Sequence, residues 1–350
     1  MRADGVRGKF LRGPTAMQEL IEPMITGKPY PIRALVIYGT SLLHTLPDVG
    51  RTLEALKRLD LVLTVDVLPQ DHVAWSDVVL PEAVSLERYD DLWACGHKTP
   101  YIALREPAVE PLGECKPGWW IARELGLRLE LAAWFPWKTA EEYLNQRLSS
   151  VGLTLDDLRA QEGIALQKGK PWLAEFEAQG TSPFGTLSKK IELHSAALAK
   201  AGHDPLPVYR PTPGPPAGGF RLLYGRSPLH TFGRTQNNPI LADLEPHNSL
   251  WIHPRPAAAL GLREGDPVLV RNGHGDATGP LPAKLTERMP EDAVYMVHGF
   301  GHRAPGLTRA NGRGGDDTAV IRGYALDAIS GATGMRTEMV TVQRAGAGRS

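Results

Sequence analysis

Two apolar runs near the start of the chain, separated by a helical pattern, restrict its fold more than any other feature. Residues 34–38 (ALVIY) and 61–65 (LVLTV) end at Gly39 and Asp66. The first run favours a parallel strand that is buried on both faces. Residues 45–48 resemble a helix start with proline in its first turn, and apolar residues follow at helical spacing. A strand, a helix and a strand within about 30 residues predict a βαβ unit with a right-handed crossover.

The pattern up to residue 204 is that of an α/β domain built on this unit. A third short strand is predicted at Val78–Pro81, and a short helix at residues 14–24. Further helices are predicted at 119–125, 141–148 and 155–160, the first of them ending at Gly126.

The segment 204–219 is the clearest boundary in the chain because its proline density favours an extended linker. After it, short apolar runs alternate with turn signals, which is typical of a small β-barrel. The predicted barrel strands are residues 220–224, 249–252, 267–270, 283–285 and 293–297. The predicted organisation is a leading segment (1–30), an α/β domain (31–204), a linker (205–219) and a barrel (220–345).

Composition excludes several classes of protein. The 350 residues carry a formal net charge of zero, so a general nucleic-acid binder is not expected. Cys95 and Cys115 are the only cysteines, whereas an iron–sulfur cluster needs about four thiolates. Two unpaired thiols are favoured over a disulfide. A membrane span of about 20 apolar residues and an N-terminal signal peptide are both absent from the sequence.

The ends of the first two strands are candidate ligand sites. In an open α/β sheet, ligands bind where strands end, and Gly39 would let a ligand approach the backbone beside Ser41. Asp66 can accept hydrogen bonds from a ribose or from the N–H edge of guanine. The alternatives are an ordinary strand-to-helix turn and an exposed strand-end carboxylate.

A second candidate site is the polar loop of residues 224–238, in which glycines alternate with hydrogen-bond donors. Arg226, His230, Thr231 and Arg234 suit a ligand that bears phosphate or a pterin. The alternative is a solvated surface loop.

Metal ligands and catalytic groups are not expected in this chain. His97, His298 and His302 lack a spacing typical of metal ligands, and no serine lies in a GxSxG motif. Residues 312–317 fit either a flexible loop or a ligand contact.

Several motifs in order resemble the dimethyl sulfoxide reductase family of molybdopterin oxidoreductases. They are Gly39-Thr40-Ser41, Leu46-Pro47-Asp48, Val65-Asp66, Ser76–Pro81 with Glu87 beyond, the Arg226…His230-Thr231 loop, and Asp327–Gly331. The resemblance covers residues 30 to 345. It implies a Rossmann-like parallel sheet domain followed by a double-psi β-barrel, together the carboxyl-terminal half of a catalytic subunit.

The resemblance also implies a cofactor and the residues that hold it. The family carries molybdenum or tungsten between two molybdopterin guanine dinucleotides, and its metal ligand and 4Fe-4S cluster lie in an amino-terminal part that this chain lacks. The family's asparagine is replaced here by Ser41, and its lysine by Arg88. The cofactor-binding residues carried over are Gly39, Ser41, Val65, Asp66, Arg88, Lys116, Gly225, Arg226, His230, Thr231, Arg234 and Arg336.

Residues 86–90 and 116–120 most resemble polysulfide and thiosulfate reductases. The implied partners are the missing amino-terminal half, an iron–sulfur electron-transfer subunit and a membrane anchor subunit. The implied location is the periplasmic side of the membrane if an export signal is present. The alternatives are a formate dehydrogenase or nitrate reductase branch of the same family, and a non-catalytic nucleotide-binding module. By itself the chain is expected to be inactive.

Overall fold

The computed structural model describes residues 3, 17–96, 99–167, 178, 180, 184–186, 188–322 and 324–346. His97 therefore lies outside the described residues, as does the start of the helix predicted at 14–24. Contacts group the chain into two compact units, the first formed by residues 1–80 with 210–350 and the second by residues 81–209. This grouping differs from the predicted domains, in which 31–204 was one body, and those boundaries stay a prediction.

The strands and helices are numbered along the chain. The strands are β1 Ala34–Tyr38, β2 Leu61–Asp66, β3 Val78–Pro81, β4 Trp93–Cys95, β5 Tyr101–Ala103, β6 Ile164–Leu166, β7 Phe220–Gly225, β8 Leu250–Ile252, β9 Pro267–Asn272, β10 Ala277–Leu285, β11 Ala293–Val297 and β12 Met339–Arg344. The helices are α1 Ile21–Thr26, α2 Leu42–Thr45, α3 Val49–Leu56, α4 Gly118–Arg128, α5 Ala140–Ser149, α6 Leu155–Ala160, α7 Ala196–Lys200, α8 Pro239–Leu244 and α9 Pro254–Ala259.

In the first unit, β1, β2 and β3 form a sheet in that order, with β1 and β2 parallel. The predicted strand–helix–strand arrangement is therefore present. The helix start was predicted wrongly: Asp48, whose side chain accepts the N–H of Arg51, caps α3, while residues 42–45 form a separate turn of helix. Pro47 lies between the two helices because it has no N–H to donate within a continuous one.

Burial of β1 on both faces was also predicted wrongly. Ile37 is buried in a core with α1 and α3, but Val36 is 56% exposed and Tyr38 is 52% exposed. The unbroken apolar run contains no alternation that would distinguish a one-sided strand, so the sequence pattern could not show this.

The rest of the first unit is a closed barrel in the order β10-β8-β11-β7-β12-β9. Its pairs β8–β10 and β7–β11 are parallel, and the others are antiparallel. Fully buried aliphatic side chains fill the interior, among them Leu222, Leu250, Val268 and Val294. Asn248 ties barrel loops together, since its amide donates to the carbonyls of Val297 and Gly315 at 2.8 and 2.9 Å.

The barrel strands confirm the predicted positions with two differences. β10 begins at Ala277, before the predicted residue 283, because Gly279 and Pro280 resemble a turn but lie within the strand beside a register shift. β12 was not predicted, although it closes the barrel between β7 and β9.

The second unit has an antiparallel sheet in the order β4-β5-β6 and a core of α5 and α6 residues, including Leu144, Leu148 and Leu158. Gly126 does not end a helix but lies inside α4. A Cβ there would lie 2.3 Å from the ring of Phe135, so glycine is required by packing. Cys95 and Cys115 are free thiols, as favoured.

In the described parts of the chain, every helix falls short of the length and apolar character that crossing a bilayer demands.

Candidate functional site

A cavity of about 420 Å³ lies in the first unit, where the loop after β1 faces loops of the barrel. Its walls combine residues 39–45 with residues 224–335, which are far apart in sequence. The cavity is lined by Gly39, Thr40, Ser41, His44, Thr45, Tyr224, Phe232, Gly233, Arg234, His298 and Met335.

The loop after β1 contributes backbone and hydroxyl groups to this cavity. Gly39 has φ +58°, a conformation that favours glycine, and its N–H donates to the carbonyl of Val65 at 3.0 Å. A Cβ at Gly39 would meet no atom within 4 Å, so open space adjoins this backbone. The hydroxyl of Ser41 lies 3.2 Å from Nδ1 of His44.

The barrel side contributes the guanidinium of Arg234 and the rings of Tyr224 and Phe232, against which two further arginines lie. Arg234 donates to the carbonyl of Gly39 at 3.5 Å, so it already spans the cavity. Arg226 lies 4.4 Å from the ring centre of Phe232, and Arg336 lies 5.2 Å from that of Tyr224. These cations are exposed and held against rings, which suits them to an anionic ligand.

His298 in the cavity wall is paired with a buried carboxylate. Its Nδ1 lies 3.0 and 2.8 Å from the two carboxylate oxygens of Asp317, which is completely buried. Burial by itself would lower the pKa of His298, but the hydrogen bond and charge of Asp317 outweigh it and raise that pKa. The buried carboxylate therefore favours the protonated form of this imidazole in the cavity wall.

Asp66 ends β2 and forms a turn with its own backbone. Its Oδ1 accepts the N–H of Val67 at 2.7 Å and that of Leu68 at 3.2 Å. This arrangement fixes the direction of the carboxylate at the strand end, where the sequence predicted a nucleotide contact.

Other predicted site residues have structural contacts in the first unit. His230 is buried, with Nε2 2.9 Å from the carbonyl of Glu245 and Nδ1 3.2 Å from the hydroxyl of Thr235. The N–H of Thr231 donates to the same hydroxyl at 2.9 Å. The carbonyl of Gly225 accepts the N–H of His298. Their roles toward a ligand stay predictions.

Arg88 and Lys116 belong to the second unit. Arg88 forms ion pairs with Glu82 and, at 2.9 Å, with Asp90. Burial by itself would lower the pKa of Arg88, but these two carboxylates outweigh it and raise that pKa. The ammonium of Lys116 lies 5.8 Å from the ring centre of Trp120. Their predicted contacts with a guanosine also stay predictions.

Sequence reasoning missed four cavity residues: His44, Thr45, Met335, and His298 as a ligand donor. His298 was considered only as a metal ligand, although its place in the glycine-rich run 298–302 was visible. His44 is one helical turn beyond Ser41, which places it on the same side of the loop as the predicted residue.

The same region holds a cluster of His44, Asp71 and His302. Nδ1 of His302 lies 2.7 Å from Oδ2 of Asp71, and Nδ1 of His44 lies 3.4 Å from the same oxygen. Burial alone would raise the pKa of Asp71, but the hydrogen bond and charge of His302 and the N–H of Arg303 lower it to about 2. Burial lowers the pKa of His44, so its imidazole is neutral near pH 7.

A parallel strand pair whose strand-end loop faces a closed β-barrel, with Arg234 and His298 in the wall of one cavity, suits the binding of an anionic ligand. Two family models match the chain: the molybdopterin oxidoreductase model at residues 14–128, and the molydopterin dinucleotide binding domain at residues 220–337. The chain belongs to the molybdopterin oxidoreductase family, as the motifs indicated.

Individual relatives agree with this assignment. The molybdopterin-containing subunit of thiosulfate reductase from Salmonella typhimurium is 30% identical over 95% of this chain and 46% of its own length. Acetylene hydratase from Syntrophotalea acetylenica is 30% identical over 83% of this chain and 40% of its own. The chain thus spans about half the length of the curated relatives that it matches.

A solved structure supports the fold. Acetylene hydratase from Pelobacter acetylenicus superposes with a TM-score of 0.72 at 24% identity, covering 94% of this chain and 46% of that one.

Proposed function

We propose that this chain is part of a molybdopterin-dependent oxidoreductase that reduces thiosulfate, polysulfide or a similar sulfur compound. The observation that carries the proposal is the cavity between the β1 loop and the barrel, which gathers Ser41, Arg234 and His298 around one space. The similarity to a thiosulfate reductase subunit over 95% of the chain supports the substrate class.

The residues fit a molybdopterin dinucleotide. Open space beside Gly39 admits a ligand against the backbone, and the cavity of about 420 Å³ has the size of a site for one portion of such a ligand. Arg234 and Arg336 would hold pyrophosphate, the imidazole of His298 would hydrogen-bond to a pterin ring atom, and Asp66 would accept from guanine. The bound group would supply two-electron chemistry, while the protein orients it and excludes water.

The finer features of the family are part of the same proposal. They are a Rossmann-like first domain, a double-psi barrel, a bis-guanine dinucleotide form with molybdenum or tungsten, and a 4Fe-4S cluster in an amino-terminal part. The partners would be an iron–sulfur subunit and a membrane anchor subunit, in anaerobic electron transfer on the periplasmic side. The parallel barrel pairs β8–β10 and β7–β11 support the double-psi assignment.

The test is to purify the protein together with the subunit portion that completes it and to measure molybdenum, tungsten and pterin. Thiosulfate and polysulfide reduction would then be assayed with a reduced dye as electron donor. We expect stoichiometric pterin and turnover of at least one sulfur substrate. A preparation that holds neither metal nor pterin contradicts the cofactor assignment.

Other relatives of this chain are named for different substrates. An assimilatory nitrate reductase subunit from Bacillus subtilis is 26% identical over 76% of this chain, and acetylene hydratase is 30% identical. Nitrate, formate and acetylene therefore belong in the assay. Turnover of one of these, without any sulfur substrate, would replace the sulfur assignment and leave the cofactor assignment intact; pterin without any turnover would favour a non-catalytic module.

Asp66→Ala is expected to weaken guanine-nucleotide binding roughly 10-fold, within the range of about 1–3 kcal/mol for an unpaired polar partner. The measurement is cofactor content per chain and titration with a guanine nucleotide. Asp66→Asn keeps a turn acceptor for Val67 and tests the charge alone. The matched control is Asp60→Ala, which removes a carboxylate from the opposite end of β2, where Asp60 pairs with Arg33. Equal cofactor content in the Asp66 and Asp60 variants would show that Asp66 does not bind the cofactor.

A further inference from the structure

Asp71, His44 and His302 converge on one point in the first unit. Each offers one ligand atom, and these atoms all lie within 4.8 Å of one another. His302 is 1% exposed and His44 is 3% exposed, so the point is shielded from bulk water. The three residues come from α2, from the segment after β2 and from the segment after β11, so they were invisible as a spacing in sequence.

The carboxylate of Asp71 is fixed in direction by the backbone. Its Oδ1 accepts the N–H groups of Arg303 and Ala304, both at 2.6 Å. Its Oδ2 is thereby turned toward the two imidazoles, at 2.7 Å from Nδ1 of His302 and 3.4 Å from Nδ1 of His44. A ligand oxygen that is oriented by hydrogen bonds to its neighbour is the arrangement that metal sites use to hold a carboxylate.

Carboxylates and a cavity lie beside this point. Burial lowers the pKa of His44, and Asp316, Asp71 and Asp317 act in the opposite direction. Asp316 also lines, with His44 and Asp71, a cavity of about 480 Å³. Nε2 of His44 is buried and has no hydrogen-bond partner among the described residues.

We propose that His44, Asp71 and His302 form a site for a divalent transition-metal ion of the zinc class. Tetrahedral zinc with bonds of about 2.0–2.2 Å places its ligand atoms roughly 3.3–3.5 Å apart. The separation of 3.4 Å between Asp71 and His44 already fits, and the 2.7 Å hydrogen bond to His302 would open as the ion replaces its proton. Two imidazoles with one carboxylate select against calcium and magnesium, which prefer oxygen ligands alone.

Three protein ligands would leave one tetrahedral position for a further ligand. Ser41 lies next to it, since its hydroxyl is 3.2 Å from Nδ1 of His44. An ion here would cross-link the β1–α2 loop and the β2 end to the barrel, directly behind the cavity of the proposed cofactor. The proposal does not rest on the proposed function, because the three ligands are defined by their own geometry.

The competing reading is a hydrogen-bond cluster in which both imidazoles donate their Nδ1–H to Oδ2 of Asp71. A carboxylate oxygen can accept two such bonds. The two readings differ in one measurable property, which is whether His302 can be replaced by a side chain that donates but does not ligate. Asparagine is that side chain, because its amide nitrogen occupies the place of Nδ1.

The experiment uses the purified protein with its completing subunit portion, treated with a chelator, dialysed and titrated with Zn²⁺ or Co²⁺. Element-specific analysis counts zinc separately from molybdenum, and pterin is measured in the same samples. We expect one zinc ion per chain in the wild type. His302→Asn and His44→Asn are each expected to lower zinc affinity more than about 100-fold, since loss of an outer-shell partner alone costs about 10–100-fold.

His194→Asn is the matched control, because it removes an exposed imidazole outside the cluster and should leave zinc binding unchanged. Far-UV circular dichroism verifies that each variant is folded, and a variant that is not folded is replaced by Asp71→Asn. Zinc stoichiometry and affinity that are the same in wild type, His302→Asn and His44→Asn would overturn the proposal, whatever the pterin content. Loss of pterin with zinc binding intact would count against the proposed function and leave the metal site standing.

Discussion

Gly299→Ala is expected to destabilise the first unit by about 2–4 kcal/mol and to abolish cofactor retention. Gly299 has φ +92°, and a Cβ there would lie 2.3 Å from the carbonyl carbon and oxygen of Phe232 and 2.5 Å from the nitrogen of Gly233. These are backbone atoms, so no side-chain rotation relieves the contact. The segment 232–234 must move, and it lines the proposed cofactor cavity.

The matched control is Gly312→Ala. Gly312 has φ +71°, but a Cβ there would meet nothing within 4 Å. Both variants carry the cost of a positive φ, about 1 kcal/mol, and only Gly299→Ala adds a backbone clash. Denaturant unfolding and pterin content per chain would measure the difference. Equal losses of stability and pterin in the two variants would mean that the positive φ accounts for both losses and that the contact with Phe232 adds nothing.

Local patterns predicted much of the fold because some elements depend on neighbours in sequence. The strands β1 and β11 and the helix α6 have the predicted bounds, and α6 begins at a capping box of Thr154 and Asp157. A cap, a proline or an apolar run acts within about four residues, so one sequence suffices to find it.

The features that failed depend on partners far away in the chain. The one-sided exposure of β1 is set by which layer covers it, and β12 is a strand because it completes the barrel between β7 and β9. Gly126 resembled a helix stop, but the ring of Phe135 requires it inside α4. A local sequence pattern cannot indicate these contacts, because they depend on other parts of the fold.

The candidate site shows the same division. Gly39, Ser41 and Arg234 were predicted from two loops and line one cavity. Turn glycines and dense donors are local signals, so the sequence could indicate these loops. The pairing of His298 with Asp317 and the meeting of Asp71 with His302 join distant segments, so they required the fold.

Asp317→Asn is expected to reverse the pH dependence of stability and to cost about 3 kcal/mol at about pH 6, the range for breaking a buried pair. In the wild type, Asp317 raises the pKa of His298 above its ordinary 6.5. Its stabilisation is therefore fully present below about pH 6.5 and is lost as pH rises through the folded pKa. Without the carboxylate, burial alone acts and lowers that pKa, so the variant should gain stability as pH rises.

Urea unfolding of both proteins from about pH 6 to about pH 8.5 measures this as a difference in free energy that shrinks with rising pH. Other titrating groups, including His44, are present in both proteins and largely cancel. Asp243→Asn is the control, because Asp243 is 71% exposed and its pair with Arg309 is screened by water. A free-energy difference that stays constant across this range would show that His298 remains neutral. A shrinking difference would mean that the cavity wall carries a protonated imidazole, able to donate to an anionic or pterin ligand where a neutral one would present a lone pair.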